Sequence, residues 1–199
     1  MHAILCDAID SGKSSFVCSL VRRLTGRGAR LSGWVTPAFM EGWKKAGHDF
    51  VAIDGDRVET PVPFTRLHPF EGSVSFPDLT EKVDGEQRAS TPCPFHFNAT
   101  AFRRAAEIVD SAARFTIHDS RLTDLFVMDE IGPLELSMGL GFRPAMLCAF
   151  RAGFATLTVV RRGLEAPLRS ILPELDFTVY SLREAGELEE RIGELSLPL

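Results

Sequence analysis

The sequence predicts an α/β fold with a mostly parallel sheet covered by helices on both faces. Short apolar runs alternate along the chain with segments of helical periodicity, which is the pattern of strand–helix–strand units. The first apolar run leads into a loop that ends Gly12-Lys13-Ser14, and a later run ends in Asp129-Glu130. Both motifs therefore fall at the carboxyl ends of predicted strands, where open α/β sheets bind their ligands.

Apolar runs of four to six residues predict the strands, at 2–6, 31–36, 50–53, 58–62, 93–98, 125–128, 155–160 and 177–180, with 93–98 as a short edge strand. Segments whose apolar residues share one face predict the helices, at 13–26, 99–115, 137–152, 164–172 and 183–192. Asn98 is suited to cap the second helix, and Asp54-Gly55-Asp56 predicts a hairpin. Residues 64–94, rich in proline and turn formers, predict an irregular insertion in a single domain spanning 1–199.

The composition is that of a soluble globular protein, with 45% hydrophobic and 25% charged residues. A net charge of −5 argues against DNA or RNA as a partner, since binding them relies on basic phosphate contacts. No apolar run approaches the roughly 18–20 residues that span a bilayer, and the early acidic residues are unlike a signal peptide. Four widely spaced cysteines are typical of reduced thiols rather than of zinc ligands. We therefore expect a cytoplasmic protein without a membrane partner, of unspecified oligomeric state.

The loop after the first strand carries the chemistry of phosphate binding. It ends in the Gly-Lys-Ser of a Walker A motif, and backbone N–H groups in such a loop surround a phosphate. Lys13 is predicted to contact the β- and γ-phosphates as a catalytic residue, and Ser14 to bind Mg²⁺. The predicted nucleotide-binding residues are Asp10, Ser11, Gly12, Lys13, Ser14 and Ser15.

Two residues of this loop differ from the full Walker A pattern, which has glycine at position 7 and often at position 10. Asp7 and Asp10 stand there instead, and each carboxylate repels a triphosphate by roughly 1–4 kcal/mol per pair of charges. Aspartate tolerates left-handed backbone conformations, and Mg²⁺ or outward-turned side chains would offset the repulsion. Taken alone, the Gly-Lys-Ser tripeptide is equally compatible with an ordinary helix start.

A second motif lies at the end of the buried strand 125–128. Four apolar residues followed by Asp129 and Glu130 form a Walker B pattern. Asp129 is predicted to hold Mg²⁺, and Glu130 to polarise the attacking water as a general base. Acidic strand ends are common, but their conjunction with Gly12-Lys13-Ser14 favours a P-loop nucleotide-binding protein.

The octet Asp129-Glu130-Ile131-Gly132-Pro133-Leu134-Glu135-Leu136 resembles DEIGPMEL, a signature of the small nucleoside triphosphatases of thermophiles and of the animal cancer-related nucleoside triphosphatase. Gly33-Trp34-Val35-Thr36 and the segments 47–55 and 95–102 resemble further parts of that family, so the resemblance covers nearly the whole chain. It implies a three-layer P-loop fold of RecA-like type with an additional catalytic glutamate. It also implies Mg²⁺-dependent hydrolysis of ATP, GTP and other nucleoside triphosphates to diphosphate and phosphate, with Lys13, Ser14, Asp129 and Glu130 as phosphate, metal and base residues.

The chain departs from the family at three places around this site. The loop glycines are Asp7 and Asp10, the family's Glu-Val-Arg after the second strand is Ala38-Phe39-Met40, and its C-terminal Asn-Arg is Glu184-Ala185. Three activities therefore stay open: hydrolysis, phosphoryl transfer by a nucleotide or small-molecule kinase, and a catalytically silent nucleotide-binding or regulatory module.

Several basic residues have two interpretations. Lys44, Lys45 and Arg57 form either a cationic rim near the nucleotide or a solvated hairpin face. Arg161 and Arg162 follow a buried strand and either contact the γ-phosphate or form a surface pair.

Aromatic and acidic residues near the motifs have two interpretations as well. Trp34, Trp43 and Phe39 either stack on a base or pack in the core, which is the usual place of aromatic residues. His96 is expected to be structural, and Glu135 to hold the loop after the strand 125–128.

Overall fold

A mixed sheet of eleven strands organises the part of the chain that the structure describes. This computed structural model describes residues 1–55, 57–76, 82–83, 86–87, 94–118 and 123–195, with only the backbone at 82–83, 86–87 and 115–118. The strands are β1 (His2–Asp7), β2 (Leu31–Val35), β3 (Ala38–Glu41), β4 (Lys44–Gly55), β5 (Arg57–Val58), β6 (Val62–Arg66), β7 (Ser73–Ser75), β8 (Lys82–Val83), β9 (Glu86–Gln87), β10 (His96–Asn98), β11 (Leu125–Ile131), β12 (Thr156–Arg161) and β13 (Phe177–Tyr180). The helices are α1 (Lys13–Gly26), α2 (Ala99–His118), α3 (Pro133–Leu136), α4 (Arg143–Arg151), α5 (Glu165–Ile171) and α6 (Ala185–Gly193).

The sheet has a parallel part and an antiparallel part. Its order is β13-β1-β12-β11-β2-β4-β6-β10-β7, with β3 and β5 also pairing with β4. The strands from β13 to β2 run parallel, and each later strand runs antiparallel to its neighbour. The predicted α/β class is therefore confirmed. β8 and β9 form a separate two-stranded hairpin.

Apolar side chains leave the parallel strands on both faces, which gives three layers. Ile4 and Phe126 face the cluster that includes residues of α2 and α4. Leu5 and Val127 face the opposite cluster, which includes residues of α1 and α6. Strands buried on both faces are typical of parallel sheets, and helices on each side exclude water from them.

The element predictions hold best in the parallel part and are less accurate in the antiparallel part, where the hairpin predicted at 54–56 does join β4 and β5. The predicted strand 50–53 is the centre of the much longer β4, and the predicted strand 58–62 is split between β5 and β6. The segment 93–98 was predicted as an edge strand, but β10 lies between β6 and β7. The segment 64–94 contains β7 as well as β8 and β9, so it is less irregular than predicted where it is described.

The predicted helix 137–152 begins later than expected, at Arg143. Gly139 and Gly141 have φ of 75° and 61°, a left-handed conformation that a right-handed helix cannot include. The short helix α3 precedes them and ends at Leu136. In the described residues, no helix has both the length and the apolar character needed to cross a membrane.

Candidate active site

The loop between β1 and α1 brings Lys13 and Ser14 to the N-terminus of α1. Gly12 is the N-cap residue and has a φ of 98°, which glycine adopts without strain. No side chain of the described residues caps this helix, so the N–H groups of its first turn are available to an anion. Asp10 is left-handed as well, with a φ of 56°, and Ser15 lies exposed on the first turn. The loop is therefore formed with aspartates at both positions.

The Lys13 ammonium group folds back onto its own loop. Its Nζ donates to the backbone oxygens of Asp7 at 3.0 Å and Ala8 at 2.5 Å, and it lies 3.4 Å from Ser11 Oγ. All three acceptors are neutral oxygens. Because hydrogen bonds between ions are stronger than bonds to neutral acceptors, a phosphate group would compete well for this charge.

The Asp7 carboxylate is held by three donors at the side of the loop. Its Oδ1 accepts from the backbone N of Ala8 at 2.8 Å and from Arg162 Nη2 at 2.9 Å. Its Oδ2 accepts from the backbone N of Leu182 at 3.2 Å. The bonds from Ala8 and Leu182 lower the pKa of Asp7, with a smaller contribution from Arg162. The carboxylate therefore joins the loop to the segments after β12 and β13.

The Asp10 carboxylate has a basic partner from the antiparallel part of the sheet. Lys45 Nζ lies 2.5 Å from Asp10 Oδ1, and this hydrogen bond lowers the pKa of Asp10. The side chain of Lys45 is 33% exposed and that of Asp10 is 63% exposed. The negative charge of Asp10 in the loop between β1 and α1 is therefore balanced by a residue 35 positions away.

The end of β11 lies against the start of α1 through the fully buried Asp129. Its Oδ1 accepts from Ser14 Oγ at 3.2 Å and from the backbone N of Glu130 at 2.9 Å. Its Oδ2 accepts from the backbone N and the Oγ1 of Thr36, both at 2.9 Å. Burial and, to a smaller extent, the neighbouring Glu130 raise the pKa of Asp129 to about 6, although the bonds from Thr36 and Ser14 oppose the rise. Thr36 was not predicted as a site residue, although it ends the Gly33-Trp34-Val35-Thr36 segment.

Glu130 occupies an irregular position in β11. Its φ is 59°, and the pairing of β11 with β12 shifts between Met128 and Ile131. A left-handed non-glycine residue in a strand costs about 1–2 kcal/mol. Partial burial raises the pKa of Glu130, with opposing effects from Lys45 and Lys13, while 43% of its side chain stays exposed. The carboxylate is therefore presented at the end of the strand rather than within the sheet.

His48 of β4 lies beside the Glu130 carboxylate. Its Nε2 lies 3.6 Å from Glu130 Oε1, and its Nδ1 lies 3.1 Å from Thr65 Oγ1. Burial and then Lys45 lower the pKa of His48 to about 4, so the ring is neutral at pH 7. The contact therefore joins a neutral imidazole to a carboxylate. No sequence pattern marked His48 as a site residue.

A cavity of about 460 Å³ connects these groups. Its polar wall includes Asp10, Lys13, Lys45, Asp129 and Glu130. Its apolar wall comes from β6, from the residues around β10 and from the second half of the octet, including Phe64, Phe95, Phe97, Pro133 and Leu134. The loop between β1 and α1 and the acidic end of β11 thus face one space that is large enough for a small ligand.

Two solved structures share this arrangement of strands and helices. The solution structure of a human cancer-related nucleoside triphosphatase covers 97% of this chain and 95% of its own, with a TM-score of 0.63 and 19% identity. The crystal structure of THEP1 from the hyperthermophile Aquifex aeolicus covers 100% of both chains, with a TM-score of 0.60 and 19% identity. This chain has the fold of the small P-loop nucleoside triphosphatases. No family model and no curated protein sequence matches it.

The likeness to these two structures confirms the P-loop fold that the resemblance of the octet implied. In this fold, β1 and β11 are separated only by β12, so the loop after β1 and the acids after Met128 emerge at the same edge of the sheet. Of the predicted nucleotide-binding, metal-binding and catalytic residues, Asp10, Lys13, Asp129 and Glu130 line the cavity, and Ser14 contacts Asp129.

The oxygen atoms of Ser14 and Asp129 fit a hard divalent cation in this P-loop fold. Mg²⁺ usually keeps several waters and takes one or two protein oxygens together with substrate phosphate oxygens. The Ser14 hydroxyl and Asp129 Oδ1 lie 3.2 Å apart at the open end of α1. Among the described residues, no cluster of three or more His, Cys, Asp or Glu side chains could hold a metal by itself. Phosphate oxygens would therefore complete the coordination.

The structure distinguishes between the two interpretations given above for the basic residues. Lys45 and Arg161 line the cavity, whereas Lys44 and Arg57 are exposed elsewhere on β4 and β5. Arg162 pairs with Asp7 instead of facing the cavity.

The structure also distinguishes between the two interpretations given above for the aromatic residues. Trp34 is fully buried and stacks on Phe142 at 4.7 Å, so it is a core residue. Trp43 is 99% exposed at the turn between β3 and β4, so core packing is wrong for it. Phe39 packs under the Arg66 guanidinium at 3.7 Å. His96 bonds Ser75 across two strands at 2.8 Å, which agrees with a structural role.

Glu135 holds the loop that follows β11, as its position in the sequence suggested. Its Oε2 accepts from the backbone N of Gly132 at 2.9 Å, and its Oε1 accepts from the backbone N of Phe142 at 3.0 Å. The residue is 2% exposed, and burial raises its pKa to about 7 despite these two donors. A Cβ atom at Gly141 would lie 2.3 Å from Glu135 Oε1, so only glycine leaves room for the carboxylate.

We expect the free energy of unfolding to fall by about 1 kcal/mol as the pH rises from 6.5 to 8.5. The pKa of Glu135 is about 7 in the folded chain and 4.5 ordinarily, so the folded protein retains a proton that it loses as the pH rises through 7. His48, with a pKa of about 4, acts in the opposite sense and mainly below pH 6.5. Urea unfolding at pH 6.5, 7.5 and 8.5 measures this slope.

The matched variant for this measurement is Glu135→Gln. Its amide leaves one of the two backbone N–H groups without an acceptor, so we expect lower stability at every pH. Because glutamine does not titrate, the fall between pH 6.5 and 8.5 should nevertheless shrink. An unchanged slope in this variant would exclude Glu135 as its source.

Proposed function

We propose that this chain is a Mg²⁺-dependent nucleoside triphosphatase that hydrolyses ATP, GTP and other nucleoside triphosphates to diphosphate and phosphate. The observation that carries the proposal is the 3.2 Å contact between Ser14 Oγ and Asp129 Oδ1. It joins the Walker A and Walker B sequences beside a cavity that Lys13 and Glu130 also line. We also propose that the protein's binding partner is its nucleoside triphosphate substrate and that the protein is located in the cytoplasm.

Each side chain has a distinct task in this proposal. The first-turn N–H groups of α1 bind the β-phosphate, and Lys13 exchanges its carbonyl acceptors for phosphate oxygens. Ser14 and Asp129 hold Mg²⁺, which would neutralise charge on the terminal phosphate. Glu130 orients a water molecule and accepts its proton. The neutral ring of His48 faces one oxygen of Glu130 and leaves the other for the water.

The test of this proposal is phosphate release with Mg-ATP and Mg-GTP as substrates. We expect release by the unaltered protein that stops when EDTA removes Mg²⁺. Lys13→Ala should reduce both release and nucleotide binding, because its ammonium would contact two phosphates. The lack of any release, together with an unchanged melting temperature at millimolar Mg-nucleotide, would instead favour a silent module.

A second candidate function is phosphoryl transfer to a small acceptor. The observation that favours it is the apolar wall of the cavity, where Phe64, Phe95 and Phe97 line the same space as Glu130 and Thr65. Hydrolysis needs room for water only, whereas this apolar wall would contact an organic acceptor whose hydroxyl Glu130 deprotonates. Transfer of the γ-phosphate label to an added acceptor, faster than release as phosphate, distinguishes the kinase from the hydrolase.

A further inference from the structure

We propose that Lys45 binds the terminal phosphate of the nucleotide and that Asp10 holds this lysine in place until the nucleotide arrives. The inference rests on the proposed function and deepens it, because it adds a phosphate-binding residue from the antiparallel part of the sheet. It also gives Asp10 a task in a loop position where a carboxylate would otherwise oppose the ligand.

Lys45 reaches the phosphate loop from the side of β4. Its Nζ lies 2.5 Å from Asp10 Oδ1, and both residues line the cavity together with Lys13 and Glu130. Three positions further along β4, His48 lies 3.6 Å from the Glu130 carboxylate. The strand therefore runs from the loop between β1 and α1, at Lys45, to the proposed general base, at His48.

The base of the hairpin formed by β3 and β4 is fixed by local contacts. Arg66 donates to the backbone oxygen of His48 at 2.6 Å, pairs with Asp49 at 2.5 Å and covers the Phe39 ring. These contacts hold the backbone beside Lys45, so an exchange of partner needs only rotation of the lysine side chain. Long lysine side chains make such changes readily.

The charges favour an exchange when a triphosphate enters. The terminal phosphate carries more negative charge than one carboxylate, so it attracts the Lys45 ammonium more strongly. Asp10 is 63% exposed, and water can therefore solvate its carboxylate after Lys45 leaves. The pair thus balances the charge of Asp10 without the ligand and supplies a cation to the phosphate with it.

The test is a double-mutant cycle with D10N, K45A and the double variant. The dissociation constants of the β,γ-imido analogues of ATP and GTP are measured by calorimetry with Mg²⁺. We expect K45A to weaken binding by about tenfold or more, and to weaken diphosphate binding much less. D10N should tighten binding, and by a larger factor with Lys45 present than in the K45A background, because only Lys45 must leave Asp10.

Lys44→Ala is the matched control, since it removes the same charge from the same strand without altering the cavity wall. It should leave the dissociation constants unchanged. An unchanged constant in K45A overturns the role of Lys45. If D10N tightens binding by an equal or smaller factor when Lys45 is present than in the K45A background, the exchange of partners is wrong. Lys45 would then only screen the charge of Asp10 without leaving it. If the unaltered protein binds neither analogue, the proposed function itself is wrong. If it binds both and K45A binds them equally well, only the role of Lys45 is wrong.

Discussion

Glu130→Gln should lower the rate of phosphate release by about 10²–10⁴-fold, which is the usual effect of removing a general base. Glutamine has nearly the same shape as glutamate but cannot accept the proton of the attacking water. Nucleotide binding should be retained or tighter, because one negative charge near the phosphates is lost. Single-turnover phosphate release with Mg-ATP and Mg-GTP, together with calorimetric titration, measures both quantities.

Glu41→Gln is a suitable control for this variant, since Glu41 is an exposed residue at the end of β3. It removes one carboxylate with no cavity contact, so its release rate should equal that of the unaltered protein. Equal rates in Glu130→Gln and the unaltered protein would discard the base assignment. Loss of binding together with rate would instead assign Glu130 to ligand binding.

The backbone at Glu130 supports a functional interpretation independently of its charge. A φ of 59° is a conformation that glycine adopts freely and glutamate adopts at a cost of about 1–2 kcal/mol. Residues in such conformations persist where the surrounding structure fixes them, and they cluster at active sites. Here the shift in pairing between β11 and β12 fixes the conformation and turns the carboxylate towards the cavity.

The parallel half of the fold could be predicted because its signals are local. Each signal lies within a few consecutive residues: the apolar run of β1, the Gly12-Lys13-Ser14 start of α1 and the apolar run of β11. Helical periodicity and the carboxyl-end rule for parallel sheets are enough to bring Ser14 and Asp129 together. The structure places these two side chains in contact.

The partners of the two loop aspartates could not be predicted, because they are distant in sequence. Asp7 bonds Arg162 and Leu182, which lie 155 and 175 residues further along the chain. Asp10 bonds Lys45, whose strand has an irregular pairing with β3 that the apolar pattern does not reveal. The sequence shows two carboxylates that repel a triphosphate but not the residues that pair with them, whereas in the structure each has a cationic partner.

Gly33→Ala should destabilise the protein by about 3 kcal/mol or more. Gly33 has a φ of 120°, and a Cβ atom there would lie 1.9 Å from the backbone oxygen of Val127. The clash is with the backbone of β11, two residues before Asp129, and cannot be relieved by a side-chain rotation. Thermal unfolding should show a melting temperature lower by roughly 6–12 °C, and phosphate release should fall because β11 carries the site.

Gly28→Ala separates this contact from the effect of the backbone conformation alone. Gly28 also has a positive φ, of 88°, but a Cβ atom there would meet no heavy atom within 4 Å. We therefore expect a loss of only about 1 kcal/mol, from the left-handed conformation, and no change in phosphate release. Equal losses in the two variants would mean that β2 and β11 do not approach as closely at Gly33 as the structure shows. The pairing of β2 with β11 would then not explain how Thr36, which directly follows β2, comes to donate to Asp129 Oδ2 at 2.9 Å.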